Sequence, residues 1–130
     1  MKKILFLLLV TCCLTACYDN LEERAQKECI EYTEKKCPTP ITNNTRVDSM
    51  VYESQTRTIH YYHSLFNEAD NAAAIRQNQA ELRKKLLDGV RNEIALEKYK
   101  EAGFNFRYTF HSGKNPSKIL FDVTYKKGEY

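Results

Sequence analysis

The stretch Phe104-Asn105-Phe106-Arg107-Tyr108-Thr109-Phe110-His111 alternates aromatic with polar residues along its whole length. Strand side chains point to opposite faces with a period of two, so this run predicts a strand with one aromatic and one polar face. Ile119, Phe121, Val123 and Tyr125 repeat the pattern against Leu120, Asp122 and Thr124. The connection from Ser112 to Ser117 holds Gly113, Asn115 and Pro116, residues that suit a hairpin loop. A hairpin with so rich a face must be covered by a second layer, and the rest of the chain is read for what supplies it.

Immediately upstream, Asn71 to Lys100 predicts one long helix. Asp70 or Asn71 can cap it, and Ala72, Ala73 and Ala74 are good helix formers. Ile75, Leu82, Leu86, Val90 and Ile94, with Leu87 beside them, make an apolar stripe wide enough to lie on a sheet. Gly89 within the stripe is expected to allow close approach to a strand, and Gly103 to stop the helix. Earlier still, Arg46 to Glu53 and Thr58 to Phe66 read as two strands joined by the polar turn Ser54-Gln55-Thr56-Arg57. In the first, Val47 and Val51 are expected on one face, with Met50 and Tyr52 on the other. In the second, Ile59, Tyr61 and Leu65 oppose Tyr62 and Phe66. Residues 19–36 contain no Gly or Pro and predict an N-terminal helix with the thin stripe Leu21, Ala25, Cys29 and Tyr32. Pro38 to Thr45 is a linker by composition. The expected fold class is α+β: an N-terminal helix, then ββ-α-ββ. Its four-stranded antiparallel sheet carries one long helix packed on one face and leaves the other at least partly wet. Residues 46–130 form this domain, preceded by a helix and linker over 17–45.

The first sixteen residues are of another kind. Lys2 and Lys3 precede an apolar run from Ile4 to Leu14, and small residues stand just before Cys17 in Leu14-Thr15-Ala16-Cys17. This is an export signal, well short of the ~20 apolar residues of a membrane-spanning helix. It resembles bacterial lipoprotein signal peptides. The resemblance implies cleavage before Cys17, acylation of its thiol and amino group (palmitate included), and a mature chain whose membrane partner is reached through that anchor. Tyr18 follows Cys17 where an inner-membrane retention signal has aspartate, so the resemblance implies an outer-membrane address in a Gram-negative envelope. The segments Ala102 to Tyr108, Phe121-Asp122-Val123 and Thr58-Ile59-His60-Tyr61-Tyr62 are similar to parts of small exported bacterial proteins of unknown function. That similarity implies a domain type and no activity.

Composition narrows the partners. Without Lys2 and Lys3, Lys plus Arg falls from 20 to 18 against 17 Asp plus Glu, a net charge of about +1 that argues against nucleic acid. With Cys17 acylated, Cys29 and Cys37 remain, and an oxidising compartment favours a disulfide between them. On one straight helix they stand ~12 Å apart, so the bond requires the helix to end near Lys35. An intermolecular bond or a metal site completed from elsewhere are the alternatives.

Few residues point to chemistry. His60 and His63 lie three apart on a strand and face opposite ways, although His111 could join His60 across the sheet. No metal or other cofactor is expected. Ser112 beside His111 lacks the elbow of a nucleophilic serine, Asp122 beside Arg107 reads as a surface ion pair, and no catalytic residue is assigned. Arg83-Lys84-Lys85, with Arg76 and Arg91, reads as a solvated helix face. Met50, Tyr52, His60, Tyr62 and Phe66 form the candidate interaction surface, an aromatic patch on the outer sheet face. These features fit a membrane-anchored, non-catalytic binding or accessory module with a protein or glycan partner in the envelope. The alternatives are a small inhibitor or exclusion factor presenting the Ser112 to Ser117 loop and, behind it, a hydrolase.

Overall fold

The computed structural model describes residues 21–130; the lipobox and Cys17 lie outside the described residues. Helix α1 covers residues 21–36. Strands β1 (Thr45–Glu53) and β2 (Thr58–Leu65) follow, then helices α2 (Ala72–Gln77), α3 (Gln79–Asn92) and α4 (Glu97–Glu101), and finally strands β3 (Asn105–Ser112) and β4 (Ile119–Tyr125). The α+β class and the order of elements are those read from the sequence.

The sheet order is β1-β2-β3-β4. Both hairpins are antiparallel, but β2 pairs with β3 in parallel, Ile59 opposite Phe106 and Tyr61 opposite Tyr108. This corrects the all-antiparallel expectation. Chain leaving β2 returns along helices to the other end of the sheet and must enter β3 in the direction of β2, as in any βαβ crossover. Asp48 forms a bulge between Val47 and Ser49, so Val47 and Val51 fall on opposite faces rather than sharing one.

The single long helix is also corrected. Asn71 caps α2 as expected, accepting from the Ala74 amide at 3.1 Å. Asn78 then interrupts the run, its side-chain amide donating to the Ala74 carbonyl at 2.8 Å. Glu93 adopts extended backbone and caps a 3₁₀ turn, Ile94–Leu96, leaving Ile94 82% exposed and outside the stripe. Gly103, at φ +79°, ends α4 as expected. A Cβ on Gly89 would meet nothing within 4 Å, so the close approach expected there is absent.

All helices of the described residues lie on one face of the sheet. Val90, Leu96, Tyr99 and Phe104 pack with Phe106, Phe110, Phe121, Val123 and Tyr125, and the Tyr125 hydroxyl donates to the Arg83 carbonyl at 2.6 Å. Helix α1 belongs to the same core through Ala25 and Cys29, 1% and 2% exposed. Three polar contacts fix it. Thr33 Oγ1 accepts from the Met50 amide and donates to the Met50 carbonyl, Glu22 pairs with Arg57 at 3.0 Å, and Tyr99 donates to the Glu28 carboxylate at 2.7 Å.

The expected disulfide is not formed; Cys29 and Cys37 are free. Helix α1 continues to residue 36, and the Cys37 amide still donates to the Thr33 carbonyl at 3.2 Å. The two cysteines therefore sit about two helical turns apart, beyond bonding reach.

Candidate functional site

The polar face of the sheet carries no helix among the described residues, and an ordered hydrogen-bond network runs across all four strands. Hairpin register puts Val51 opposite His60 and Glu53 two pairs further along, opposite Thr58, so Glu53 reaches diagonally to His60. The parallel pairing sets Tyr62 beside Thr109, and β4 sets Asp122 beside Thr109. From β1 to β4 the chain of contacts is Glu53 Oε1 to His60 Nδ1 at 2.9 Å, His60 Nε2 to Thr109 Oγ1 at 2.7 Å, and Thr109 Oγ1 to Asp122 Oδ1 at 2.9 Å. Arg107 closes it with a two-pronged grip on Asp122, Nε at 3.0 Å and Nη2 at 2.6 Å. That is the surface ion pair expected from the sequence.

His60 is 2% exposed, sealed by the Tyr62 ring stacked on it at 4.0 Å. Burial pushes its pKa down; the Glu53 carboxylate pulls it up, and Arg107 adds to the depression. A doubly protonated ring satisfies both Glu53 and Thr109, whereas a neutral ring keeps a hydrogen for only one of them. Asp122 is held below the usual carboxylate range by the hydrogen bonds from Arg107, against burial, with Thr109 adding to the effect. Carboxylate, imidazole and hydroxyl stand in the order of a catalytic triad. Yet Thr109 is buried, and its oxygen is enclosed by His60 and Asp122. No substrate carbon can reach that oxygen without opening the face. The network ties the four strands together across this face.

The five residues of the candidate surface do not form one patch. His60 and Tyr62 lie on the polar face, while Met50 opposes Tyr61 and Tyr52 opposes Ile59 on the helix-covered face. Phe66 stands past the end of β2 under the Arg46 guanidinium, 5.0 Å from its ring centre. Register explains the split: the four-residue turn pairs even-numbered positions of β1 with odd-numbered positions of β2 after the bulge. His111 shares a face with His60, but the Tyr62 ring lies near both, and His63 points the other way, stacked on Phe110 at 4.6 Å. The sequence reading missed Glu53 and Thr109 as partners of His60, because pairing a carboxylate with a histidine across a turn requires the register.

Met50 and Tyr52 instead line concave surface beside α1. A shallow groove of about 600 Å³ runs along the flank of α1, lined by Glu22, Gln26, Ile30, Tyr52 and Ser54, and it adjoins a second hollow reaching Val51 and Thr33. The opposite flank of α1 meets α4 over a cleft of about 290 Å³ containing Tyr32, Tyr61 and Leu96. Among the described residues no group of three His, Cys, Asp or Glu side chains is placed to hold a metal, and no helix is long and apolar enough to cross a membrane.

The fold recurs in solved structures of low sequence identity. A protein from Pseudomonas aeruginosa described as secreted matches with TM-score 0.71 at 17% identity, over 85% of this chain and 92% of that one. The type 2 secretion system pilotin of Vibrio vulnificus matches with TM-score 0.63 at 11% identity, over 85% and 92%. The type II secretion system pilotin of Vibrio cholerae matches with TM-score 0.56 at 13% identity, over 86% and 94%. At these identities the likeness is one of fold. No curated protein sequence matches. A family model described as a domain of unknown function, DUF8479, matches residues 20–121, nearly the whole of the folded part, and the chain belongs to that family.

Proposed function

We propose that this protein is a lipid-anchored accessory module of the Gram-negative outer membrane, held there by acylated Cys17 and acting by binding a protein partner rather than by catalysis. The observation that carries the reading is the coupling of a lipobox to a helix that is part of the core: Leu21, four residues after Cys17, already packs against the domain. An anchor so placed holds a folded surface at the bilayer, not a loosely tethered tail. A fold shared with two pilotins and a secreted protein supports an exported accessory role.

The first test is metabolic labelling with palmitate in the native host, followed by mass analysis of the mature protein. Acylated protein beginning at Cys17 is the expected product, and Cys17→Ser abolishes both label and membrane retention. An unmodified mature chain beginning elsewhere overturns the reading.

One observation favours the inhibitor as a second reading. The exposed loop after β3 is preformed: Asp70 accepts from Ser112 Oγ at 2.8 Å and from the Lys114 amide at 3.1 Å, and Ser112 Oγ accepts from the Asn115 amide at 3.1 Å. A rigid loop costs little ordering on binding. An inhibitor keeps its activity when released from the anchor, whereas an accessory module does not.

A further inference from the structure

The tether and the fold together fix which end of the molecule meets the lipid. We propose that the end built from the β1–β2 turn, the turn at Gly103 and the Lys126–Glu129 turn lies against the lipid headgroups. The opposite end then faces away from the bilayer: residues 37–44, the turn Asn67–Ala69 and the β3–β4 loop. The proposal rests on acylation of Cys17 and adds to it an orientation.

Leu21 lies four residues after Cys17, a span of at most ~14 Å when fully extended. Helix α1 cannot swing to lengthen this leash. Its first turn is pinned by Glu22 to Arg57, and the Arg57 guanidinium lies 4.5 Å from the centre of the Phe104 ring and donates to the Ala102 carbonyl. Those contacts locate the start of α1 at the end of the sheet where β1 finishes, β2 and β3 begin and β4 finishes. The far end of α1 lies ~24 Å away, near Met50 and Val47, where Thr33 and Thr39 bind the β1 backbone. A leash of ~14 Å cannot bring that far end to the surface while the near end stands off.

The chemistry of the two ends agrees. At the near end the exposed charged side chains include Glu23, Glu101, Lys126, Lys127 and Glu129, with Arg57 and Glu22 paired, a mixed-charge surface suited to headgroups rather than to insertion. Two of the large apolar residues left in water, Ile41 and Ile119, sit at the far end, 53% and 55% exposed, where a protein partner can cover them.

The experiment uses the lipidated full chain in vesicles of phosphatidylethanolamine and phosphatidylglycerol that carry nitroxide headgroups. In a Cys37→Ser background, Gln55→Cys or Lys114→Cys receives a fluorophore, and quenching is read for each. Quenching several-fold stronger at position 55 than at 114 is the expected result. Equal quenching, or the reverse, from protein that floats with the vesicles overturns the orientation while leaving the anchor intact. Acylated protein that fails to float with the vesicles overturns the anchor, and the orientation with it.

Discussion

His60 is a titratable ring almost without solvent on a sheet face that no helix of the described residues covers, so its protonation reads out the state of that face. Burial depresses its pKa and that of His63, whose Nδ1 has no hydrogen-bond partner among the described residues. The unfolded imidazoles bind protons near pH 6.5. Above that value both states are neutral and stability is complete. As pH falls below about 6.5 the unfolded chain takes up protons first, and stability declines until the depressed native values are passed. Urea midpoints are therefore expected to be flat from about pH 8 to 7 and to fall between about 6.5 and 5. His63→Phe, which removes an unsatisfied buried nitrogen, flattens part of that fall; a midpoint independent of pH over this range in the wild type contradicts the assignment. Two glycines give changes of opposite sign. A Cβ on Gly113 would lie 2.6 Å from Phe66 Cδ1 and 2.7 Å from the Leu65 carbonyl, so Gly113→Ala costs ~1–3 kcal/mol. Gly89→Ala, inside α3 and facing open space, stabilises by ~0.5–1 kcal/mol. Chemical denaturation of the two variants decides the signs. At this scale the Arg107–Asp122 pair is legible in the sequence because both residues alternate on neighbouring strands. The pairing of His60 with Glu53 is not, because one step of register sends either to the other face.

Among the elements, β1 and β4 are both edge strands, and β1 is closed by its neighbours. Thr33 binds both backbone groups of Met50, and Thr39 exchanges bonds with Val47 through its amide and its hydroxyl. These contacts occupy groups that an extended segment would need for pairing. Thr33→Val removes two bonds and is expected to cost ~1–2 kcal/mol. Hydrogen exchange at the Met50 amide rises at the same time, while the Phe110 amide in the sheet centre stays protected. Equal loss of protection at both would point to global unfolding instead of an opened edge. Helix α1 also governs the thiols. Burial pushes Cys29 up to about 12 and raises Cys37 as well, with Asp48 contributing at Cys37. A thiol reagent is expected to modify Cys37 slowly in the folded protein and Cys29 only after unfolding, and reductant leaves the thermal midpoint unchanged. Protein from the native host whose mass lacks both thiol hydrogens contradicts this. The existence of α1 and the cap at Asn71 are visible in the sequence from spacing and residue type. The breaks at Asn78 and Glu93 are not, since the apolar period runs through both and only packing on a twisted sheet makes a straight helix unsuitable.

For the whole molecule the decisive link is between strand direction and the covering layer. The ββ-α-ββ pattern is readable from alternation and helical spacing. It carries the parallel β2–β3 pair with it, because a single helical return passage restores the direction of the strand it left. What the pattern does not reveal is how the covering layer is divided. Helices α3 and α4 supply Val90, Leu96 and Tyr99 to the core, and α1 supplies Ala25 and Cys29 over β1 and β2. Tyr99 donating to Glu28 ties the two parts of the layer together. Removing α1 bares Tyr52, Ile59 and the underside of Met50, each large side chain costing roughly 1.5–3 kcal/mol when exposed, against a total stability of only about 5–15 kcal/mol. A chain of residues 46–130 is therefore expected to lack a cooperative thermal transition. A chain starting at Tyr18, which loses only the anchor and the leader, keeps the full transition of the lipidated protein. Circular dichroism melts and near-ultraviolet spectra of the two chains separate the cases. If the shorter chain melts cooperatively with native tyrosine signals, α1 is a spacer laid over a self-sufficient sheet.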